Sequence, residues 1–196
     1  MTDLKTASYP ETYLKTLFGF WVYLMTDCIL FATLFATYAV LHNNIFGGPS
    51  SHELFDLPHA LQETLVLLTS SFASGLATLA AFKGNKAKVA LWYAVAFILG
   101  IVFLTLELQE FASFVRDGNS WQKSAFLSSF FTLVGTHGLH VSLGLLWMIV
   151  LIPKVLISGL TPQNMRRLSI LGLFWHFLDV IWIFIFTFVY LMGKIG

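Results

Sequence analysis

The chain has 196 residues, 57% of them hydrophobic and only 11% charged, with a formal net charge of +1. Soluble domains sit nearer roughly 45–50% apolar and about 25% charged, so an ordinary soluble enzyme is excluded. The near-neutral balance gives no reason to expect nucleic acid. The single cysteine, Cys28, rules out an intrachain disulfide and any cysteine-based metal or haem-attachment motif. It lies in an apolar run and reads as a buried, chemically idle thiol.

In chain order, Lys5 and Lys15 precede an apolar run over 18–41. That run is well beyond the roughly 7–15 residues of a secretion-signal core and suits a spanning helix retained in the mature protein. Four further runs follow, over 61–82, 89–114, 125–152 and 168–192. The breaks between them carry turn chemistry: Asn43-Asn44 with Gly47-Gly48-Pro49, Lys83-Gly84-Asn85-Lys86, Arg116-Asp117-Gly118-Asn119-Ser120, and Gly159-Leu160-Thr161-Pro162. The expected fold is an all-α membrane protein, one domain over 1–196 with five transmembrane helices. Eight basic residues (Lys5, Lys15, Lys83, Lys86, Lys88, Lys154, Arg166, Arg167) fall on one side and three (Arg116, Lys123, Lys194) on the other. The excess of positive charge in cytoplasmic loops then predicts a cytoplasmic N-terminus and a periplasmic C-terminus.

Eight ionisable residues lie inside these apolar runs: Asp27, Glu63, and the pairs Glu107/Glu110, His137/His140 and His176/Asp179. Each pair is spaced i,i+3 and so shares a helical face. A lone charge in hydrocarbon costs at least roughly 2.5–3.5 kcal/mol, so such faces turn to a protein interior or a partner. Rise per residue separates a central set (Asp27, His137, His140, His176, Asp179) from a set of outer carboxylates (Glu63, Glu107, Glu110). Three readings fit the central set. A di-metal site is one, although no Glu-x-x-His element occurs. A haem held between helices four and five is another. The third, favoured by the residues, is a mutually neutralising hydrogen-bond network joining helices one, four and five, a network that spacing alone neither assigns to nor excludes from proton relay. Small residues (Ser70, Ser71, Ser74 and Gly75; Gly135, Gly138, Ser142 and Gly144) predict close helix packing. Trp21, Tyr23, Trp92, Trp121 and Tyr190 read as interface anchors, and Trp175 and Trp182 as packing against a partner or lipid tails.

Several of these segments resemble subunit III of the haem–copper terminal oxidases. They are Gly19-Phe20-Trp21 with Tyr23-Leu24-Met25-Thr26-Asp27, Glu63-Thr64 with Ser70-Ser71, and Glu107-Leu108-Gln109-Glu110. Two more are Gly135-Thr136-His137-Gly138-Leu139-His140-Val141 and Trp175-His176-Phe177-Leu178-Asp179-Val180-Ile181-Trp182. Many family members have seven helices, and this chain begins where their third would start. Its five-helix form, and the stretch Phe31 to Leu41, are similar to the bacterial quinol oxidases of the cytochrome bo type. A five-helix cytochrome c oxidase subunit is the neighbouring alternative, and a stand-alone membrane di-metal enzyme the rival from another class. A small proton-coupled carrier has no inverted repeat to support it. Where many members have a carbodiimide-reactive glutamate, Asp27 stands here, one methylene shorter. The resemblance implies a chain in the bacterial inner membrane with no catalytic centre and no cofactor of its own. Haems and copper would belong to subunit I, with subunit II and a small subunit IV as further partners. It also implies bound phospholipids, whose headgroups Lys154, Arg166 and Arg167 would meet.

Overall fold

The computed structural model describes residues 3–45 and 51–195. The turn expected at Gly47-Gly48-Pro49 lies outside the described residues, as does the side chain of Lys5. Seven helices and one π-helical stretch follow in order: α1 (Asp3–Leu41), α2 (Ser51–Leu54), α3 (Leu57–Phe82), α4 (Lys86–Arg116), α5 (Ala125–Ser158), α6 (Pro162–Ile185), the π stretch Phe186–Leu191, and α7 (Met192–Ile195). Five segments are long and apolar enough to cross a membrane: Tyr13–Leu41, Leu57–Phe82, Lys86–Arg116, Ala125–Ser158 and Pro162–Lys194. Each begins before the run expected from apolarity or ends beyond it; the first and second spans stop at the predicted ends, Leu41 and Phe82, and the fourth starts at the predicted Ala125. Helices extend past hydrocarbon because polar end residues still close backbone hydrogen bonds.

The turns follow local chemistry. Gly84, Gly118 and Gly159 take φ of +72°, +74° and +73°, the left-handed region that glycine enters without steric cost. Asn85 accepts from the Lys88 N–H, Ser124 from Leu127 and Thr161 from Asn164, capping α4, α5 and α6. Pro58 and Pro162 occupy first-turn positions, where no backbone N–H is needed.

Helices α3, α4, α5 and α6 contact one another in a closed ring, and α1 lies along the α5–α6 seam. α1 is therefore covered on one face only, and Cys28 is exposed, not buried as its apolar neighbourhood suggested. At the centre of the ring, Trp175 acts as a peg. Its indole N–H donates to Ser70 Oγ on α3 at 3.1 Å, and Ser70 in turn donates to the Ala96 carbonyl on α4 at 2.8 Å. Trp182, two turns later, donates to Thr64 Oγ1 at 3.0 Å. Both indoles are fully buried in the chain's own core, not against lipid or a partner. Their seven-residue spacing on α6 answers the spacing of Thr64 and Ser70 on antiparallel α3.

Candidate functional site

The membrane-buried polar groups fall into three places. The first lies where α1 meets α5. His140 Nδ1–H donates to the Thr136 carbonyl one turn back, at 2.7 Å, which leaves Nε2 turned toward Asp27 Oδ1 at 3.9 Å. Asp27 Oδ2 has no hydrogen-bond partner among the described residues. Phe31, one turn beyond Asp27, packs on the His140 ring at 5.3 Å. His137 is 0% exposed, and neither ring nitrogen finds a partner among the described residues. The edge of Phe103 and the face of Trp182 enclose it, at 5.9 and 5.3 Å between centroids.

The second place is between α3 and α6. Ser71 Oγ and His176 Nδ1 share a hydrogen bond of 2.7 Å, and the Asp179 carboxyl interacts with both residues. These three side chains border a groove of about 370 Å³ walled by Leu68, Phe72 and Leu76. Among the described residues no hydrogen bond or ion pair joins this group to Asp27, His137 or His140. Helical phase gives the reason: Trp175, Leu178 and Trp182 take the inward face of α6, which turns positions 176 and 179 to the α3 flank. Of the five residues expected to form one network joining three helices, Asp27 and His140 thus meet between α1 and α5, His176 and Asp179 lie between α3 and α6, and His137 stands apart among aromatic rings.

The third place holds the outer carboxylates, at the end of the bundle opposite the basic turns. Tyr190, within the π stretch, donates its hydroxyl to Glu110 Oε2 at 2.6 Å. Glu63 Oε1 lies 3.4 Å from His59 Nε2, one turn earlier on α3. Glu63 is 0% exposed and within electrostatic range of Glu107 and Glu110. Glu107 lies across from Gly138, where a Cβ would come within 2.6 Å of its Oε1. Tyr190 is thus a core hydrogen-bond donor, not an interface anchor. Among the described residues no three His, Cys, Asp or Glu side chains gather in a way that could hold a metal ion.

The family description "cytochrome c oxidase subunit III" matches residues 11–194, nearly the whole chain and all five spans. The chain belongs to the cytochrome c oxidase subunit III family. Together with five helices able to cross a membrane, this makes it a multi-pass membrane protein. As a subunit III, it is by family a component of a larger oxidase assembly. It is 56% identical over 181 residues to the cytochrome bo(3) ubiquinol oxidase subunit 3 of Pseudomonas aeruginosa, covering 92% of this chain and 87% of that one. The protein of the same name from Buchnera aphidicola subsp. Baizongia pistaciae is 46% identical, over 92% and 93%. A protein named cytochrome c oxidase subunit 3 from Bacillus sp. strain PS3 is also 46% identical, over 91% and 86%.

Within this subunit III, Lys154 is exposed and Arg166 and Arg167 are half-buried at the α5–α6 turn. Arg167 keeps one guanidinium nitrogen, Nη1, buried without a hydrogen-bond partner among the described residues. Three participants escaped the sequence reading: His59 beside Glu63, Ser71 as the partner of His176, and Tyr190 as the donor to Glu110. Only Ser71 carried a detectable signal. Thr64, Ser70 and Ser71 mirror Trp182, Trp175 and His176 across an antiparallel pair.

Proposed function

We propose that this chain is the non-catalytic third subunit of a proton-pumping quinol:oxygen oxidoreductase in a bacterial inner membrane, with its N-terminus cytoplasmic. Its role is assembly, stability and lipid organisation around catalytic subunit I, which would hold the haems and copper. Subunit II and a small subunit IV complete the assembly. The observation that carries this reading is the 56% identity, over 92% of the chain, to a protein named as a bo(3) ubiquinol oxidase subunit. The polar geometry supports it. Buried groups meet in pairs and triplets on separate helix interfaces, and among the described residues no three His, Cys, Asp or Glu side chains gather in a way that could hold a metal ion. A self-contained di-metal enzyme is not favoured, because its ligands would have to converge.

The basic residues at the loop ends and the carboxylates at the far end fit the proposed orientation. Lys154, Arg166 and Arg167 would face anionic headgroups, at about 1 kcal/mol for each charge near the surface. The Bacillus relative keeps a second reading open, in which the electron donor is a cytochrome c.

The test is a mild-detergent pull-down through this chain, with an optical spectrum, metal content and subunit identification. Co-purifying haem, with oxygen uptake driven by quinol and not by reduced cytochrome c, is the expected result. Oxygen uptake driven only by cytochrome c favours the second reading. A chain isolated without haem-bearing partners, yet binding stoichiometric iron itself, overturns both.

A further inference from the structure

At the end of the bundle opposite the basic turns, six titratable side chains come together: Asp56, His59 and Glu63 of the α3 start, Glu107 and Glu110 on α4, and Tyr190 in the π stretch. Glu63 lies within electrostatic range of both other glutamates, Glu110 of His59 and Asp56, and Tyr190 of all three glutamates. From α5 the group meets Gly138, against Glu107, and Phe130, 6.0 Å from the Tyr190 ring. Glu63, Glu107 and Glu110 are 0%, 2% and 7% exposed. Tyr190 donates to Glu110 Oε2. Both oxygens of Glu63 and Oε2 of Glu107 have no hydrogen-bond partner among the described residues.

Aromatic rings pack over Tyr190 at this end. Phe55 lies 4.9 Å from the Tyr190 ring, 5.1 Å from Phe130 and 6.0 Å from Phe126, and Phe114 lies 5.9 Å from Phe130. All four phenylalanines are buried. His59 joins the buried acids to the surface. It stands in the first turn of α3, roughly 3 Å from the helix start. Its side chain is 28% exposed, yet its Nε2 is buried and 3.4 Å from Glu63 Oε1, one turn deeper. One edge of the imidazole meets the surface and the other meets the acid.

Three carboxylates buried together would lack countercharge, at several kcal/mol for each ion, and one imidazolium matches only one of them. Neutrality therefore takes three protons spread over four acceptors: the three carboxyls and the His59 imidazole. Tyr190 keeps its own proton, because it donates to Glu110. One acceptor is always empty, so a proton can move within the group without changing its net charge.

We propose that Glu63, Glu107 and Glu110 form a proton-holding site, and that His59 is the shuttle that exchanges its protons with the water at this end of the bundle. The carboxyl proton of Glu63 passes to Nε2 of the neutral imidazole, and the imidazolium releases its Nδ1 proton to water. The reverse order refills the acid. Only O–H and N–H bonds are exchanged, so no oxidant or second reactant is required. An imidazole suits the task because it takes a proton on one nitrogen while giving one up from the other. The chemistry stands on this chain's own residues, whichever oxidase the subunit serves.

The test is infrared spectroscopy of the membrane complex purified through this chain and transferred from H2O to D2O. A protonated carboxyl absorbs apart from a carboxylate, and its band shifts when deuterium replaces the proton. Subtracting the Glu63→Gln spectrum from that of the parent isolates the Glu63 band. The expected band is that of a protonated acid at neutral pH, and it shifts before the backbone amides of the spans exchange. His59→Gln, compared with the same variant carrying Glu63→Gln, should keep the band but slow its shift by on the order of a hundredfold, the lower end for a positioned proton-transfer group. In His59→Ala, free imidazole in the buffer should speed the shift again, which a purely structural histidine would not allow. A Glu63 band of carboxylate form overturns the proton-holding site. A band that outlasts the amides in the parent overturns exchange with water, and both readings come from the parent and a near-isosteric variant. Equal rates in His59→Gln and the parent, or no response of His59→Ala to imidazole, overturn the shuttle. Haem content of the same preparation reports separately on the subunit assignment.

Discussion

Gly144→Ala tests whether Trp175 is the fixed peg of the bundle. A Cβ at position 144 would lie 2.8 Å from Trp175 Cζ3, 3.0 Å from Cε3 and 3.3 Å from Phe174 Cε1. The first two distances fall at or below what real Cβ contacts tolerate, and neither atom belongs to a flexible chain end. The indole has nowhere to retreat. On its other edge, Gly100 of α4 is so close that a Cβ there would lie 2.9 Å from Cη2 and 3.0 Å from Cζ2. Its N–H is tied to Ser70 at 3.1 Å. Relief therefore requires moving a helix or breaking that bond.

Overpacking of this kind costs about 1–3 kcal/mol. On the scale of soluble chains of this length, each kcal/mol lowers Tm by roughly 2–4 °C, so a fall of about 2–12 °C is expected. The assay is thermal unfolding of the purified complex in mild detergent, read by loss of this subunit. Trp175→Phe supplies the decisive comparison. It removes the six-membered ring that meets both glycines and forfeits one hydrogen bond, worth about 0.6 kcal/mol inside a membrane bundle. Combined with Gly144→Ala, it should recover part of the loss, so the pair deviates from additivity by more than about 0.5 kcal/mol. A parent-like Tm for Gly144→Ala, or strict additivity in the double variant, would refute the peg.

Three further outcomes follow from the polar sites. Tyr190→Phe deletes the donor to Glu110 Oε2 and leaves a buried acceptor unpaired, costing about 1–3 kcal/mol by the same thermal assay; an unchanged Tm counts against a structural role for that bond. Asp27→Asn should retain most quinol-driven oxygen uptake, because an amide nearly matches the size of a carboxyl that meets His140 only at 3.9 Å; a fully assembled complex with no turnover would contradict this. Replacing Lys154, Arg166 and Arg167 by Gln should strip anionic lipid from the purified complex, each charge contributing about 1 kcal/mol, or roughly fivefold in retention by native mass spectrometry; unchanged lipid content would leave these residues to topology alone.

What the sequence displays and what it hides divide along one physical line. Spans and turns are written in local order: apolar runs of the right length, glycines at φ above +70°, and a serine, threonine or asparagine one residue before a helix. Depth is also local, since rise per residue counts along one helix; the separation of Glu63, Glu107 and Glu110 from the mid-depth groups was legible for that reason. Azimuth is not local. Whether His176 meets α5 or α3 depends on which face of α6 the tryptophans occupy, and that depends on whether Ser70 and Thr64 stand opposite to receive their indole N–H groups. The i,i+3 rule says that His176 and Asp179 share a face; it does not say which neighbour the face sees. The one nonlocal signal was the similar spacing on two antiparallel helices, seven residues from Trp175 to Trp182 and six from Thr64 to Ser70. Tyr190 gave no such signal, because the π stretch from Phe186 to Leu191 shifts the register of every later residue by a fraction of a turn. Projected along a regular helix from Trp182, Tyr190 falls at a span end like an anchor; with the register shifted, it faces Glu110. A residue inserted into or removed from that stretch should therefore unseat Tyr190 while leaving Trp182 in place, and π turns of this kind recur where a side chain is held for function.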